Sequence, residues 1–127
     1  MNIFKNKIAL ITGHTGFKGS WLAMWLGKLS AKVIGVALEP PTTPSHFEAA
    51  GLSEILEDHR LDIRNGEELK RLVKKIQPDF VFHLAAQALV RKSYDDPVDT
   101  YQTNALGTLN LLEAFRSLKK KCTTVLI

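Results

Sequence analysis

Three glycines near the amino terminus have the spacing of a loop that binds phosphate. Gly13, Gly16 and Gly19 follow an apolar run and precede a helical pattern. We expect Gly13 to allow the turn out of a strand, Gly16 to let the backbone approach a pyrophosphate, and Gly19 to let a helix pack against the strand. Free N–H groups near Phe17 and Lys18 would then face the anion, with the helix dipole behind them. Glycine loops also form turns that bind nothing, but the strand before and the helix after favour a dinucleotide site.

The elements that must position this loop alternate between strands and helices. The apolar patterns predict strands at 7–12, 32–38, 55–61, 78–87 and 122–127, and helices at 17–29, 45–51, 66–76 and 97–118. This order predicts an α/β fold, a doubly wound parallel sheet of the Rossmann-like type with strand order 3-2-1-4-5, truncated after the fifth strand. The prolines within 39–44 exclude both helix and central strand, so this stretch is expected at the carboxyl edge of the sheet.

Length and composition are those of one soluble domain. The chain has 127 residues, of which 45% are hydrophobic and 24% charged, which argues against disorder. No apolar run approaches the roughly 20 residues that cross a bilayer, and no signal peptide is evident, so we expect a cytoplasmic protein without a membrane partner. Cys122 is the single cysteine, which excludes an internal disulfide and a two-cysteine metal site, and no metal site is expected.

The basic residues do not form a nucleic-acid surface. The net charge is +4, but apart from the cluster at 119–121 the basic residues are scattered among acidic ones. A cluster at the end of a helix complements the helix dipole. We therefore expect no nucleic-acid partner and interpret the excess charge as solvated surface.

Two apolar surfaces are expected to be buried. Trp21 and Trp25 recur at helical spacing, which favours core packing over base stacking. The helix predicted at 97–118 is apolar on more than one face and needs burial by the sheet and by something else. A second subunit is the plausible cover, so a homo-oligomer is expected.

Four segments in register resemble the extended short-chain dehydrogenase/reductase family of nucleotide-sugar enzymes. They are 12–19 (Thr-Gly-His-Thr-Gly-Phe-Lys-Gly), 62–64 (Asp-Ile-Arg), 83–87 (His-Leu-Ala-Ala-Gln) and 103–108 (Thr-Asn-Ala-Leu-Gly-Thr). The segments 13–22, 38–48 and 87–94 are similar to the family's branch of CDP-glucose 4,6-dehydratases. The resemblance covers the whole chain but only the first half of such an enzyme. It implies a bound NAD, a small-molecule nucleotide-sugar substrate, oxidation of glucose at C4, loss of water across C5 and C6, and reduction at C6.

The resemblance also implies which residues form the site. The expected cofactor contacts are Gly13, Gly16, Phe17, Lys18, Gly19, Asp62, Ile63, Leu84, Ala85, Ala86 and Thr103. The expected substrate contacts are Gln87, Arg91, Ser93 and Tyr94.

His14 is a further cofactor candidate, because the usual ribose partner is missing. NAD sites commonly end the second strand with an acid that binds the ribose 2′-hydroxyl, yet Ala37 occupies that position and the nearest acid is Glu39. We expect His14 to supply a hydrogen bond to that hydroxyl. The alternative is that His14 is a loop residue facing solvent.

Several of these residues also have a structural interpretation. Asp62 follows a strand and is able to cap a turn instead of contacting adenine. His83 is expected to be a hydrogen-bonded core residue rather than a catalyst, because no orienting partner is evident in the sequence. Asn104 is expected to bond backbone near the site, and Arg91 with Lys92 fits either substrate binding or ordinary surface charge.

The acid–base pair that the resemblance implies is absent from these residues. The family carries Tyr-x-x-x-Lys on the helix after the fifth strand, whereas Tyr94 is followed four positions later by Val98, and Tyr101 by Ala105. No catalytic residue is therefore assigned here. Residues 1–127 are expected to be the NAD-binding Rossmann domain without its substrate lobe. A nucleotide-sugar epimerase of the same family and a non-catalytic NAD(P)-binding module remain alternatives.

Overall fold

A computed structural model describes residues 2–127, which form one parallel sheet with helices on both faces. The strands are β1 (Ile8–Thr12), β2 (Lys32–Ala37), β3 (Glu57–Arg60), β4 (Phe80–His83) and β5 (Thr123–Leu126). The α-helices are α1 (Phe17–Lys28), α2 (His46–Ala49), α3 (Gly66–Ile76), α4 (Val90–Asp95), α5 (Pro97–Tyr101) and α6 (Gly107–Phe115). A 3₁₀ turn covers Leu52–Glu54, and a π-helical turn at Gln102–Leu106 joins α5 to α6.

The sheet has the topology that the sequence predicts. The strand order is β3-β2-β1-β4-β5, and every neighbouring pair is parallel. The doubly wound α/β class and the 3-2-1-4-5 order are thus confirmed. Because all five strands are parallel, their carboxyl ends meet at one edge, and the loops that follow them lie side by side.

The core is divided by the sheet into two layers. In β1, Leu10 faces the larger layer, which contains Leu69 and Val73 of α3 and Leu111 of α6. Ala9 and Ile11 point to the other side and face the smaller layer, beside α1. The alternation of β1 side chains explains why this strand is apolar along almost its whole length, since it is buried on both faces.

Helix α1 lies close to the sheet because its buried face is made of small residues. Gly19, Ser20 and Ala23 face the sheet together with Leu26, and a Cβ at position 19 would collide with the backbone of the glycine loop. The prediction that the two tryptophans are core residues is wrong. The side chains of Trp21 and Trp25 lie on the outer face of α1, where they are 50% and 64% exposed. A bulky indole does not fit where the helix must approach β1 so closely.

The region between β4 and β5 is more helical than its sequence predicts. The polar stretch before Pro97 forms α4, which has no buried residue to give it an apolar period. Asp96 then caps α5 through its side chain, which accepts from the amide of Asp99. The following helix ends at Phe115 rather than at 118, and its middle turn is π-helical. A π-turn leaves no signature in apolar spacing, so only the backbone reveals it.

Across residues 2–127, none of the helices combines the length and the apolarity that crossing a bilayer needs. The cytoplasmic location that we expect from the sequence stays a prediction.

The close contact of α1 with the glycine loop makes a paired stability test possible. Replacing Gly19 by alanine should destabilise the fold by about 1–3 kcal/mol, because the new Cβ meets backbone that is unable to rotate away. Gly27 lies in the same helix with open space around it, so Gly27→Ala should stabilise the fold by about 0.5–1 kcal/mol. Urea unfolding of the two variants measures both effects, and equal stabilities would contradict the packing described here.

Candidate functional site

The glycine loop presents an open helix terminus at the carboxyl edge of the sheet. Gly13 has a left-handed φ of 77°, and its amide donates to the Val36 carbonyl, which ties the loop to β2. Gly16 is the N-cap of α1, and within the described residues no side chain caps this terminus. The first turn of α1 contains no acidic residue. The amides of Phe17 and Lys18, whose side chains are exposed, are therefore available to an anion.

A second backbone segment, Leu84–Ala86, lies directly against this loop. A Cβ at Gly13 would come within 2.7 Å of the Ala85 nitrogen. Thr12 joins the two segments, because its hydroxyl accepts from the amides of Leu84 and Ala85 at 3.2 Å each. The structure thus brings together two of the segments that the sequence assigns to the cofactor.

His83 lies beneath this junction with both imidazole nitrogens bonded. Nδ1 is 2.6 Å from the hydroxyl of Thr12, and Nε2 is 2.9 Å from the hydroxyl of Thr108. Burial lowers the pKa of His83 below that of a free imidazole. The prediction of a hydrogen-bonded core histidine is confirmed, and the orienting partner that the sequence could not supply is Thr108, from a helix 25 residues away.

His14 does not face solvent, so the alternative that makes it an open loop residue is wrong. Its side chain is fully buried, and Nε2 is 2.8 Å from Oδ1 of Asp58 on β3. Nδ1 is enclosed and has no hydrogen-bond partner among the described residues. The ring packs on Gly35, where any Cβ would collide with it. Desolvation lowers the pKa of His14 despite the carboxylate of Asp58. In this arrangement neither nitrogen is open to a ribose hydroxyl.

A cluster that the sequence analysis missed lies at the ends of β2 and β3. Arg60 donates to the carbonyl of Leu38 at 2.9 Å and to Asp58 at 2.9 Å, and its guanidinium lies 5.1 Å from the centre of the Phe47 ring. The carboxylate of Glu39 is 3.6 Å from the same guanidinium. Pairing of β2 with β3 places residue 60 beside the end of β2. The available signal in the sequence was the polar composition of β3, in which all four residues are acidic or basic.

Asp62 caps a turn, as its structural interpretation predicts. Its carboxylate accepts from the backbone amide of Arg64 at 2.9 Å, and the guanidinium of the same residue donates two further hydrogen bonds to it. These bonds from Arg64 hold the pKa of Asp62 below its usual range. Arg64 also pairs with Asp99 of α5. Ile63 is buried with its side chain against Gly107, and its backbone carbonyl accepts from the side chain of Asn110 at 3.0 Å.

The residues assigned to the substrate fall into two groups. Gln87 is held by the side chain of Asn104. The backbone amide of Gln87 donates to Oδ1 of Asn104 at 2.7 Å, and its backbone carbonyl accepts from Nδ2 of the same side chain. This confirms the expected backbone role of Asn104. Ser93 donates to the carbonyl of Val90, whereas Arg91 and Tyr94 are exposed on α4.

A concavity opens at the carboxyl ends of β4 and β5, beside the second cofactor segment. Its lining residues are His83, Ala85, Ala86, Asn104, Thr108, Leu126 and Ile127. Thr103 is half-buried in the π-turn that flanks it. Among the described residues no cluster of histidine, cysteine and acidic side chains is able to hold a metal ion. The assignments of individual residues to cofactor or substrate stay predictions.

The sequence and fold match known nucleotide-sugar enzymes. The family model described as GDP-mannose 4,6 dehydratase matches residues 10–127. CDP-glucose 4,6-dehydratase of Salmonella typhimurium is 48% identical over 117 residues, which cover 92% of this chain and 33% of that protein. GDP-mannose 4,6-dehydratase of Yersinia enterocolitica is 38% identical over 120 residues, 87% of this chain and 31% of that protein. The solved UDP-glucose 4-epimerase of Thermus thermophilus in complex with NAD superposes with a TM-score of 0.72 at 34% identity, over 86% of this chain and 33% of that one.

The chain spans about a third of the length of the relatives it matches. The matched third contains the glycine loop, the segment after β4 and the helices between β4 and β5. Resemblance to this group of enzymes, noted from four short segments, is confirmed over nearly the whole chain.

The two buried histidines make the stability of the fold depend on pH. In the unfolded chain both imidazoles titrate near pH 6.5, whereas burial lowers the pKa of His14 and of His83 in the folded state. The unfolded chain then binds more protons, so the free energy of unfolding should be constant above about pH 7 and fall as the pH drops through about 6.5. Urea unfolding at about pH 7.5 and about pH 5.5 measures the difference.

The control for this test is the partly exposed His59 on β3, 30% accessible at its side chain. His59→Gln should leave the pH dependence in place. The carboxylates whose pKa is lowered act only at more acidic pH. A free energy of unfolding that is flat between about pH 7.5 and about pH 5.5 would contradict the assignment of both histidines as buried and neutral.

Proposed function

This chain belongs to the GDP-mannose 4,6 dehydratase family, and we propose from that membership that it is the NAD-binding part of a nucleotide-sugar 4,6-dehydratase. The proposed substrate is CDP-glucose and the proposed product is CDP-4-keto-6-deoxyglucose. The support for the base and sugar is the 48% identity to a CDP-glucose 4,6-dehydratase. Support for the cofactor comes from the likeness to an epimerase solved with NAD.

The observation that carries the proposal is the uncapped start of α1 next to a backbone that leaves no room for side chains. A Cβ is excluded at Gly13 and at Gly19 by neighbouring backbone. At Gly16 an added Cβ would meet only the carbonyl of Gly13, at 3.4 Å. Gly16 therefore faces outward at the start of α1, and packing within the protein does not require a glycine there. Such a position fits the close approach of a pyrophosphate.

The chain's own residues would hold the dinucleotide along the carboxyl edge. The amides at 17–19 would bind the pyrophosphate. Asp62, whose carboxylate also caps the turn at Arg64, would meet the adenine together with the backbone of Ile63. Leu84–Ala86, fixed by Thr12, would flank the ribose and the approach to the nicotinamide. When bound, NAD would accept hydride from C4 of the glucose unit and return it to C6 after water is lost.

At the adenosine end, the contacts favour Glu39 over His14 as the ribose partner. His14 is enclosed and bonded to Asp58, whereas Glu39 is 79% exposed at its side chain. Arg60 is engaged by Asp58, by a backbone carbonyl and by Glu39. A 2′-phosphate would therefore meet an acidic side chain and an arginine whose charge is balanced, which favours NAD over NADP.

The substrate lobe is proposed to lie outside these residues, and α4 to begin the sugar-nucleotide site. Gln87 would be held by Asn104 at its margin, with Arg91, Ser93 and Tyr94 on the following helix. A nucleotide-sugar epimerase is the second candidate, favoured by the likeness to a UDP-glucose 4-epimerase. The coding sequence downstream of residue 127 distinguishes the dehydratase from a non-catalytic module. Tyr-x-x-x-Lys preceded by a Ser/Thr-Asp-Lys segment would support the dehydratase, and an immediate stop would support a non-catalytic module.

Calorimetric titration of NAD into the purified chain tests the cofactor proposal. Wild type should bind NAD, and Gly16→Ala should weaken binding at least ten-fold, on the order of the loss expected when a methyl group blocks a close backbone approach. Neither protein should form a 4-keto product from CDP-glucose, because the expected acid–base pair, which contributes about 10²–10⁴-fold, is absent from this sequence.

Gly27→Ala is the matched control, because the same substitution in the same helix lies away from the loop. It should bind NAD as wild type does. Equal NAD affinity in wild type and Gly16→Ala would remove the glycine loop from the site. Absence of NAD binding in wild type would overturn the cofactor proposal itself.

We also propose that copies of the chain associate through the outer face of the helices between β4 and β5. Large apolar side chains there are exposed, among them Val98, Tyr101 and Leu109 at 51–66%. Exposed apolar area of this extent on consecutive turns is typical of an interface.

Light scattering should therefore report a dimer or a larger species, and the double variant Val98→Asp with Leu109→Asp should lower the mass to that of a monomer. The control is Trp25→Asp, which places the same charge on an exposed aromatic position of α1. A wild-type monomer at high concentration, or a loss of association only in the control, would contradict this interface.

A further inference from the structure

The hydrogen bonds around His83 permit only one arrangement of protons. The hydroxyl of Thr108 donates to the backbone carbonyl of Asn104 at 2.6 Å. It has a single proton, so at its 2.9 Å contact with His83 Nε2 it must accept. The proton of the imidazole therefore resides on Nε2.

The opposite side of the ring follows from the same reasoning. A neutral imidazole protonated at Nε2 has a lone pair at Nδ1. The hydroxyl of Thr12, 2.6 Å away, donates to that lone pair. Its oxygen is then left to accept from the amide of Ala85 at 3.2 Å, and from that of Leu84, which also donates to the backbone carbonyl of Thr12 at 3.1 Å. The hydroxyls of Thr108 and Thr12 and both nitrogens of His83 are thus hydrogen-bonded. A second proton on His83, at Nδ1, would place an N–H donor opposite the donating hydroxyl of Thr12.

We propose that His83 is a positioning residue: fixed as the Nε2–H tautomer by Thr108, it orients Thr12 so that the 84–85 amides are held against the glycine loop. At the contact that it maintains, a Cβ at Gly13 would fall 2.7 Å from the Ala85 nitrogen, so there is no room for a side chain between the two segments. The effect on NAD rests on the proposed function, whereas the effect on the backbone does not.

The π-turn gives the arrangement its second anchor. The turn at Gln102–Leu106 carries Asn104, whose side chain holds both backbone groups of Gln87, and its carbonyl takes the Thr108 proton. The segment after β4 is thereby fixed at both ends by one helix. π-Turns within α-helices are found frequently at functional sites.

Thr108→Val tests the proposal, because it removes the hydroxyl while keeping the shape of the side chain. NMR of the chain with isotope-labelled histidine should show a slowly exchanging Nε2 proton on His83 in wild type and its loss in Thr108→Val. Amide exchange at Ala85 should accelerate in the variant, and at Leu84 it should accelerate less, because that amide also donates to the backbone carbonyl of Thr12. The dissociation constant for NAD should rise by roughly three- to ten-fold, the worth of one hydrogen bond. Thr108→Ser, which retains the hydroxyl, should restore all three readouts.

Thr123→Val on β5 is the matched control, since it makes the same change at an exposed threonine, and it should alter none of the readouts. A proton found on Nδ1 of His83 in wild type, or unchanged amide exchange at 84–85 in Thr108→Val, would overturn the proposal. Faster exchange with unaltered NAD affinity would support the positioning of the 84–85 amides and would overturn its proposed effect on NAD binding. If wild type fails to bind NAD, the proposed function fails, and amide exchange alone decides whether His83 positions the segment.

Discussion

The fold depends on one close approach, where α1, the glycine loop and the start of the segment after β4 meet without intervening side chains. Gly13 contacts the backbone of Leu84 and Ala85 on one side, and Gly19 contacts Gly13 on the other. Interiors are packed so densely that a single added methyl group at such a point must displace backbone. The helix terminus can face a ligand at this edge only because nothing larger than hydrogen occupies these positions.

Polar groups fix this junction in a single geometry. Thr12 is the last residue of β1, and its hydroxyl meets His83 at the last position of the neighbouring β4. A buried hydroxyl, an imidazole and two amides would be costly if any one were left unbonded, because the interior offers no water as substitute. Because these groups bond to one another, they fix the distance between the glycine loop and the segment after β4. This constraint adds to the hydrophobic packing that holds the sheet together.

Two histidines illustrate how similar residues take different roles in the same edge. His83 is bonded at both nitrogens, whereas His14 is bonded to Asp58 at one nitrogen and enclosed at the other. His14 thereby ties the glycine loop to β3 through the interior. Glu39 and Arg60, in contrast, form an ion pair at the surface of the same edge.

The sequence by itself determined the α/β class, the strand order and the position of the glycine loop. These follow from local periodicity and from glycine spacing, which report which residues are buried and where the backbone must turn. It also indicated that His83 is a bonded core residue. The helix from Gly66 to Ile76 was predicted at its observed bounds because its apolar face and its polar face are cleanly separated.

Only the tertiary structure decided which side chains meet. His14 and Asp58 are 44 positions apart, and His83 and Thr108 are 25 apart. No periodicity records such pairs, since they arise when parallel strands bring distant residues to one edge. Trp21 was misassigned for a related reason: helical spacing identifies a face, but the need for small residues against β1 selects which face is buried.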